Sequence, residues 1–478
     1  MLLPQPTPSQ AIRQLALLIS IKLPSAFHMT SDLTNGGSIS LLSLGSDTSV
    51  FDPDLSVLRQ DANITGIPDA QYYGPLYLTD VLETYPGPVI FGLNRGAGNL
   101  SNTVLAATYV KHLPNLYAVE LGNEPFAKPN MFESCRHLNI VYPYTGTSYT
   151  GNSVGPTLIV VEAGGASAWT PTYEATTEVE YQLAVGNALD ITDSIQAGAY
   201  YLSPSYGYNA TYLLSQETPE ALKYVRSFSH HFYPQTISSK AIGAPAPNVE
   251  TLMSHVNTST DVAPYALDRT NTESYDLDYV FGETNSVSGG GSPIVSPMFG
   301  AGLWVLDYVL RAASSQIVRL NFHFQSYGTS YYIWWDKTTV RSPYYGGYVA
   351  TEALAGESYI SALDNGTTNY AGYAIYSASK SLSKVVLINT DYFDGNGARS
   401  TQDFVLSGLS CQSVSAKRLT AANALSRQDF GQAPTFAGQS FSNSTCALGG
   451  KKVIERVSVK DGKATFTLFA SEALVISL

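Results

Sequence analysis

Charged side chains are scarce in this sequence of 478 residues, and basic ones are scarcer than acidic ones. Asp, Glu, Lys and Arg make up 13% of the chain, with 26 Lys and Arg against 38 Asp and Glu and a formal net charge of −12. No basic stripe is present to neutralise phosphates, which excludes nucleic acid as the general partner. No apolar run reaches the ~20 residues that span a bilayer, so we expect no membrane partner either.

Cysteine is also rare, with three residues at Cys135, Cys411 and Cys446. Three cysteines cannot form a disulfide framework, and no Cys-x-x-Cys or His-rich spacing indicates a zinc site, so we expect neither a metal nor a cofactor. Cys411 and Cys446 both fall in the C-terminal part of the chain. In an oxidising compartment these two either pair with each other or remain thiols, and the sequence leaves both alternatives open.

Hydrophobic residues, tyrosine and glycine are abundant: 44% of the chain is hydrophobic, with 33 Tyr and 39 Gly. This profile is typical of an extracellular globular protein. Six Asn-x-Ser/Thr sequons indicate passage through the secretory path. They lie at Asn63, Asn99, Asn209, Asn257, Asn365 and Asn443. Because prolines precede the first apolar run, no signal peptide is evident. We nevertheless expect a secreted, glycosylated monomer.

Residues 85–355 alternate short apolar runs with helix-like segments such as 178–193 and 299–313, which is the pattern of β/α units. The clearest strand candidates are VIFGLN (89–94), LYAVELGNEP (116–125), VRSFSHHFYP (225–234), YVFGETNS (279–286) and IVRLNFHFQ (317–325). Each ends in polar residues, as strands do at the catalytic mouth of a (β/α)8 barrel. We therefore predict an α/β fold with a TIM barrel over 1–355.

From about residue 356 the pattern changes to short alternating strands broken by Gly, Asn and Ser, which predicts a C-terminal β-sandwich over 356–478. Two stretches of the predicted barrel do not fit it. Residues 1–75 show no clear β/α rhythm, and residues 127–168 read as a Gly/Ser/Thr-rich insertion. Natural divergence explains both stretches, and so does an imperfect gene model that would leave the barrel incomplete.

Two glutamates follow apolar strand runs, Glu124 in ELGNEPF and Glu283 in FGETNS. Retaining glycoside cleavage needs two carboxyl groups ~5–5.5 Å apart, one to protonate the leaving group and one to attack the anomeric carbon. An isolated glutamate after a strand more often caps a helix. In Asn-Glu-Pro the functional interpretation is favoured, because Pro125 is expected to keep Glu124 extended and Asn123 places an amide beside it.

In these motifs the chain resembles glycoside hydrolase family 79, and in particular the fungal β-glucuronidase-like members of this clan A family. The resemblance lies in LGNEP, FGETNS, FGAGLWVLDYVLRAAS (299–314), NFHFQ and PYYGG (343–347). It implies that Glu124 is the acid/base, that Glu283 is the nucleophile, and that Asn123 binds the hydroxyl next to the anomeric centre.

The same resemblance implies further substrate-binding positions. His231 and Tyr233 match positions that keep polar groups near the nucleophile, and Tyr233 is expected to donate a hydrogen bond to Glu283. His323 matches a sugar-contacting histidine. From the residues alone, a core histidine and packed tyrosines remain equally open interpretations.

Three more positions complete the predicted site. Gly328 and Tyr331, with the adjacent Tyr332, fall where family members recognise the glucuronate carboxylate, and Asn94 is expected to reach a sugar hydroxyl. Two strand arginines, Arg95 and Arg319, are interpreted as structural ion-pair partners rather than carboxylate clamps.

Three functions remain open. The first is an exo-acting hydrolase that removes terminal β-linked glucuronic or 4-O-methylglucuronic acid from a glycan, which is the expected partner. The second is a heparanase-like endo-β-glucuronidase, which needs a basic cleft that 26 Lys and Arg against 38 Asp and Glu do not favour. The third is a non-catalytic carbohydrate-binding homologue with a degenerate barrel, against which both glutamates persist in their motifs.

Overall fold

The computed structural model describes ten segments of the chain. They are residues 16–19, 39–41, 49–56, 58–61, 70–83, 87–124, 170–237, 245–324, 330–336 and 339–478. The predicted insertion at 127–168, Cys135, and two predicted site positions, Asn63 and Gly328, lie outside these segments.

The described residues of the N-terminal part contain thirteen strands. They are β1 (Ala16–Ile19), β2 (Ile39–Leu41), β3 (Ser49–Phe51), β4 (Leu58–Asp61), β5 (Ala70–Tyr73), β6 (Val89–Leu93), β7 (Leu116–Leu121), β8 (Ile195–Tyr200), β9 (Val225–Phe232), β10 (Gln235–Thr236), β11 (Asp278–Thr284), β12 (Val287–Ser288) and β13 (Arg319–Phe322). Eight of them form one sheet in the order β1-β13-β11-β9-β8-β7-β6-β2. Every neighbouring pair in it is parallel.

The five strands predicted from the sequence are inner strands of this sheet, and β8 is a sixth inner strand that was not predicted. All residues of β6 and β8 are buried, as expected of parallel strands covered on both faces. The edge positions come from the segment without visible rhythm, since β1 pairs with β13 and β2 pairs with β6. A separate three-stranded sheet, in the order β3-β5-β4, also lies in this part.

Helices follow the strands. They are α1 (Pro75–Tyr77, continued by a π-helical turn, Leu78–Leu82), α2 (Leu100–Val110), α3 (Pro171–Leu189), α4 (Ala210–Gln216), α5 (Pro219–Leu222), α6 (Val249–Met253), α7 (His255–Val262), α8 (Ala266–Ser274), α9 (Phe299–Ser314) and α10 (Ser342–Leu354). The helix predicted over 299–313 is α9. The helix predicted over 178–193 is α3, which begins earlier, at Pro171 after the Thr170 cap, and ends before a left-handed Asp190. No helix of the described residues is long and apolar enough to cross a membrane.

The glycine-containing motifs of α9 and α10 allow the two helices to touch. A Cβ on Gly346 would lie 2.0 Å from the carbonyl oxygen of Gly302, and a Cβ on Gly302 would lie 2.7 Å from that of Ser342. Neither distance is possible for a real side chain. The small residues of FGAGL and PYYGG are therefore explained by helix packing rather than by substrate binding.

The C-terminal part is an antiparallel β domain. Its strands are β14 (Tyr359–Ala362), β15 (Tyr370–Tyr376), β16 (Leu382–Asn389), β17 (Thr401–Ser407), β18 (Ser413–Thr420), β19 (Thr435–Phe436), β20 (Ser440–Phe441), β21 (Leu448–Gly449), β22 (Glu455–Ser458), β23 (Lys463–Phe469) and β24 (Glu472–Ser477). One sheet has the order β14-β15-β16-β24-β18-β19, and a two-stranded sheet, β17-β23, lies apart from it. Buried side chains alternate with exposed ones along β23, which leaves one face for the core.

The disulfide between Cys411 and Cys446 does not form, so that alternative was wrong. Both cysteines are free and partly exposed. They pack against different hydrophobic clusters: Cys411 borders the core of the β domain, whereas Cys446 borders the larger core that contains α9. Both cysteines belong to the same strand-rich C-terminal region, but this does not bring their sulfur atoms together.

A buried ion-pair network joins the helices of the parallel sheet to the β domain. His255 of α7 is fully buried. Its Nδ1 lies 2.8 Å from Asp307 Oδ2 on α9 and its Nε2 lies 2.8 Å from Asp364 Oδ1 after β14. Tyr373 of β15 donates a 2.6 Å hydrogen bond to Asp307. Burial alone would lower the pKa of His255, but the two aspartates outweigh it and raise the pKa to about 10.

We expect Asp307→Asn to destabilise the protein by about 3 kcal/mol near pH 7, because it removes one of the two carboxylates that neutralise a buried histidine and leaves Asp364 alone to do so. The pKa of His255 is raised by folding, so the stabilisation is complete below an unfolded value of ~6.5 and is lost as pH rises through about 10. Thermal unfolding of the variant and the parent from pH 6 to pH 10.5 checks this. The exposed pair Arg269–Glu273 provides the control, since Glu273→Gln should change little. Equal melting temperatures for Asp307→Asn and parent at pH 7 would contradict the prediction.

Candidate active site

Glu124 lies in the turn that directly follows β7. The strand ends at Leu121, after which Gly122 (φ 84°) and Glu124 (φ 49°) both adopt left-handed backbone conformations. The expectation that Pro125 keeps Glu124 extended was therefore wrong. A glutamate with positive φ is strained, and such residues concentrate at functional sites where the surrounding structure holds them. The turn leaves 19% of the Glu124 side chain exposed.

Glu283 is the last residue but one of β11. Pairing of β11 with β9 shifts between Phe281 and Glu283, a bulge that re-aims the glutamate side chain. The intervening Gly282 makes the bulge possible, because a Cβ there would lie 2.1 Å from Ser229 Oγ. Glycine in FGETNS is thus explained by the close approach of β9.

The two glutamates meet although β8 and β9 separate their strands. One carboxylate oxygen of each, together with a ring nitrogen of His231, all lie within 4.8 Å of one another. Retaining glycosidases hold their carboxyl groups ~5–5.5 Å apart, whereas inverting ones leave ~6.5–9.5 Å for a water molecule. The separation therefore matches retention.

The pKa values of the two glutamates shift in opposite directions. Burial is the main cause that raises the pKa of Glu124, and the negative charge of Glu283 adds to it, while His231 opposes both. Burial would also raise the pKa of Glu283, but the charge and hydrogen bond of His323, the charge of His231 and the hydrogen bond from Tyr233 lower it. One carboxyl group therefore tends to hold a proton while the other is ionised, as an acid/base and a nucleophile require.

A hydrogen-bond cluster holds Glu283 in place, as expected for Tyr233. The Tyr233 hydroxyl donates to Glu283 Oε1 at 2.6 Å and lies 2.9 Å from His323 Nδ1. His323 Nδ1 is in turn 3.2 Å from Glu283 Oε1. Asn285 of the FGETNS motif fixes His323 by donating a 2.9 Å hydrogen bond to its carbonyl oxygen.

We expect Tyr233→Phe to lower kcat/KM by about 10- to 100-fold, since a hydrogen bond to a charged group is lost. The same bond lowers the pKa of Glu283, so its loss raises that pKa and moves the acidic limb of the kcat/KM profile to higher pH. Steady-state rates from pH 3 to pH 8 measure both effects. Tyr212, whose hydroxyl lies 2.8 Å from Thr172 Oγ1 in another region, provides the Tyr212→Phe control. An unmoved acidic limb would contradict the prediction.

His231 contacts the other glutamate. Its Nδ1 is 3.0 Å from Glu124 Oε1, and its Nε2 is 3.9 Å from Glu120 Oε1. Burial would lower the pKa of His231, but its contacts with Glu120 and Glu124 and the charge of Glu283 raise it well above the usual value. The imidazolium form is therefore favoured, and it places positive charge beside the Glu124 carboxyl group.

Glu120 is a buried residue of the site that the sequence reasoning missed. It has no exposed surface, and its Oε2 accepts a hydrogen bond from Gln196 Nε2 of β8. Burial raises the pKa of Glu120, although His231 and Gln196 oppose the shift. A signal was available, because a charged residue interrupts the otherwise apolar strand LYAVEL four positions before Glu124.

The contacts of the other predicted site residues give less direct evidence on sugar binding. Asn123 is buried beside Glu124. Asn94 is buried too, but its amide donates to the Ser49 carbonyl and its oxygen accepts from the Ala97 amide, so these bonds do not favour sugar binding. Tyr331 is half-buried and bonds through its backbone to Gly290. The neighbouring Tyr332, rather than Tyr331, reaches the cluster, with its hydroxyl 3.2 Å from His323 Nδ1.

The two strand arginines behave differently. Arg95 is buried with Glu174 and Glu178, at 2.7 and 2.6 Å, which confirms a structural ion pair. Arg319 has no ion-pair partner among the described residues, and its interpretation as an ion-pair partner stays a prediction. Its guanidinium carbon lies 3.9 Å from the ring centroid of Tyr117, a cation–π contact that a sequence does not reveal.

Comparison with known proteins agrees with this geometry. The profile of the glycosyl hydrolase family 79 C-terminal beta domain matches residues 372–475. The β-glucuronidase of Aspergillus niger is 34% identical over 181 residues, 34% of this chain and 32% of that protein. The β-glucuronidase of Neurospora crassa is 30% identical over 235 residues, 42% of this chain and 40% of that protein. The matched part is thus roughly a third to two fifths of the length of these relatives.

Solved structures extend the likeness to the whole chain. The crystal structure of a 4-O-α-L-rhamnosyl-β-D-glucuronidase from Fusarium oxysporum, in its Rha-GlcA complex, is 36% identical, covers 99% of both chains and has a TM-score of 0.83. The family 51 arabinofuranosidase of Xanthomonas axonopodis pv. citri, at 12% identity and a TM-score of 0.57, shares the fold.

A parallel sheet with two glutamates at its strand ends and an attached antiparallel domain are features of glycoside hydrolases. This chain belongs to glycoside hydrolase family 79.

Proposed function

We propose that this protein is a retaining exo-glycoside hydrolase that removes terminal β-linked glucuronic acid, free or substituted at O4, from a glycan. The observation that carries the proposal is the pair Glu124 and Glu283, whose carboxylate oxygens lie within 4.8 Å and whose pKa values shift in opposite directions. The relatives named for β-glucuronidase activity support the choice of sugar.

In the first step the ionised Glu283 attacks the anomeric carbon while Glu124 protonates the leaving oxygen. Tyr233 and His323 hold Glu283 in the attacking position through the bonds described above. The bond from C1 to the leaving oxygen breaks, and an ester between C1 and Glu283 forms with inverted configuration. We assign Asn123, which lies beside Glu124, to the hydroxyl adjacent to C1.

In the second step Glu124 acts as a base towards water, which displaces Glu283 and restores the original configuration. Ester formation removes the negative charge of Glu283, which is one of the causes that raise the pKa of Glu124. The pKa of Glu124 therefore falls between the two steps, as the change from acid to base requires. His231, 3.0 Å from Glu124 Oε1, stabilises the Glu124 carboxylate that the first step leaves and that accepts the proton of water in the second.

Substrate recognition is the finer part of the proposal. His323 and Tyr331 are assigned to the sugar, and Gly328, which lies outside the described residues, is assigned with Tyr331 to recognition of the glucuronate carboxylate on the family resemblance alone. The Fusarium oxysporum relative is named for a glucuronide that carries 4-O-linked rhamnose. This favours, as a second candidate, release of a 4-O-rhamnosylated rather than an unsubstituted glucuronic acid.

A substrate panel tests the function. Purified protein is incubated with 4-nitrophenyl β-D-glucuronide, with its 4-O-α-L-rhamnosyl derivative, and with the matching β-glucoside and β-galactoside. Release from either glucuronide but from neither neutral glycoside is expected, and their ratio identifies the O4 preference. Release from a neutral glycoside would overturn the sugar. Cleavage inside a glucuronan without terminal release would favour the endo-acting alternative, and no release from any substrate would favour a non-catalytic homologue.

The architecture and location complete the proposal. We propose that the eight-stranded sheet closes as a (β/α)8 barrel within 1–355 and that 356–478 form a β-sandwich. Support comes from the two end strands, β1 and β2, whose Cα atoms approach within 8 Å. A crystal structure with unpaired β1 and β2 edges would refute closure. We also propose that the protein is secreted as a monomer, which recovery from culture medium and size-exclusion chromatography test.

A further inference from the structure

A cavity borders the hydrophobic core of the antiparallel domain. This cavity of about 560 Å³ lies beside β15 and β17, a volume within the ~300–1,000 Å³ of small-molecule sites. Leu363, Leu387 and Leu406 line it and also belong to the buried core. The rings of Tyr370 and Phe404 stand at the same cavity, edge to face with centroids 6.1 Å apart. Apolar core side chains thus border a space that no described residue fills.

A sequon asparagine lines the same cavity. Asn365 of Asn365-Gly366-Thr367 is one of the lining residues and is exposed. Its Oδ1 accepts hydrogen bonds from the Thr367 hydroxyl at 2.6 Å and from the Thr367 amide at 3.3 Å. Its Nδ2 has no hydrogen-bond partner among the described residues. That nitrogen is the atom that carries the sugar in N-glycosylation.

At the other described sequons the asparagine either uses its Nδ2 in a hydrogen bond or lies away from the cavity. Asn209, Asn257 and Asn443 each donate Nδ2 to a backbone carbonyl oxygen, at 2.8 to 2.9 Å. Asn99 caps α2 through its Oδ1 and is not among the residues that line the cavity. Of the described sequons, Asn365 alone combines exposure, an available amide nitrogen and an adjacent apolar space.

The loop that carries Asn365 is held in place by the preceding residue. Asp364 accepts 2.9 Å hydrogen bonds from the amides of Gly366 and Gly372 and is anchored by His255. Gly366 has a φ of 72°, so the turn relies on glycine. A sugar attached at this position would start from a fixed point, which lowers the entropy lost when it packs against the protein.

We propose that Asn365 carries an N-linked glycan whose first N-acetylglucosamine residue packs into this cavity and closes the core of the β domain. The bond between Nδ2 and the sugar C1 forms as the bond from C1 to a lipid pyrophosphate donor breaks, and Nδ2 loses a proton. The apolar face and acetyl methyl of the sugar pack against Tyr370, Phe404 and the leucines. Its hydroxyls meet Gln402, Asp403 and Thr368 at the polar side of the cavity.

The test compares two hosts and one matched control. Parent, Asn365→Gln and Asn257→Gln are produced in a secretory yeast and in bacteria, which do not attach the glycan. Peptide mass spectrometry of the yeast protein should find Asn365 occupied. In yeast material Asn365→Gln should melt roughly 2 °C or more below the parent, and Asn257→Gln should not. In bacterial material the Asn365→Gln shift should vanish.

Enzymatic trimming of the glycan identifies which of its sugar residues stabilises the protein. Endoglycosidase H leaves the first N-acetylglucosamine in place, so the trimmed yeast protein should keep the melting temperature of the untrimmed one. In a Phe404→Ala background the Asn365→Gln shift should disappear, and this comparison decides the matter if the bacterial protein does not fold. An unoccupied Asn365, an equal shift in both hosts, or loss of stability on trimming would each overturn the proposal. Activity plays no part in any arm, so the result is independent of the proposed reaction.

Discussion

Glu283→Ala is expected to lower kcat on an aryl β-glucuronide by about 10⁴-fold or more, because no other described carboxylate occupies the attacking position and the covalent route is lost. Three features of the structure support the proposed role of this residue: a bulge at Gly282 that aims it, a 2.6 Å bond from Tyr233, and charges that lower its pKa. Stopped and continuous assays of released nitrophenol measure the loss.

Chemical rescue separates a missing nucleophile from a damaged fold. Azide enters the space left by the Glu283 carboxylate and attacks C1 directly, so the expected product is the α-glucuronosyl azide. Glu283→Gln keeps the shape of the side chain and should be equally inactive but not rescued. An unchanged rate in Glu283→Ala, or a β-azide product, would assign the nucleophile to another residue.

Glu124→Ala is expected to show a loss that depends on the leaving group. With an alcohol leaving group that needs protonation, kcat should fall by about 10²- to 10⁴-fold. With 2,4-dinitrophenolate, which leaves unprotonated, glycosylation of Glu283 should remain fast and hydrolysis of the ester should limit the rate. Pre-steady-state release of dinitrophenol should then appear as a burst.

The pH profile and azide again distinguish this residue from Glu283. Burial raises the pKa of Glu124, so the parent should lose kcat/KM as pH rises through that value and Glu124 gives up its proton. In Glu124→Ala this alkaline limb should disappear. Azide should attack the glycosyl ester from the face that Glu124 vacated and give the β-glucuronosyl azide. An α-azide, or an alkaline limb that persists, would contradict the assignment.

The local motifs predicted the chemistry because each ends a buried strand. VIFGLN, LYAVEL and YVFGET became β6, β7 and β11, and parallel strands bring their carboxyl ends to one edge. That rule placed Glu124, Glu283 and His323 together without any knowledge of contacts. The hydrogen bond from Tyr233 to Glu283 was implied by the family resemblance, and the structure explains it, since β9 and β11 are neighbours.

Other features depend on how neighbouring strands align and approach each other in detail, which the sequence does not reveal. The bulge at Gly282 and the left-handed Glu124 arise from the approach of neighbouring strands and the turn after β7. The sequence shows Glu120 inside an apolar strand but not its partners, since a buried carboxylate needs a polar group and both Gln196 and His231 lie on other strands. The Cys411–Cys446 alternative failed for a similar reason, since the two thiols face different cores.

The configuration of the first sugar released tests the central claim most directly. Proton NMR spectra recorded within minutes of adding a large amount of enzyme to 4-nitrophenyl β-D-glucuronide resolve the anomeric signals before mutarotation mixes them. A carboxylate pair within 4.8 Å acting by double displacement predicts that β-glucuronic acid appears first and the α-anomer later. Initial appearance of the α-anomer would contradict the account, because it would require single displacement by water and a different role for Glu283.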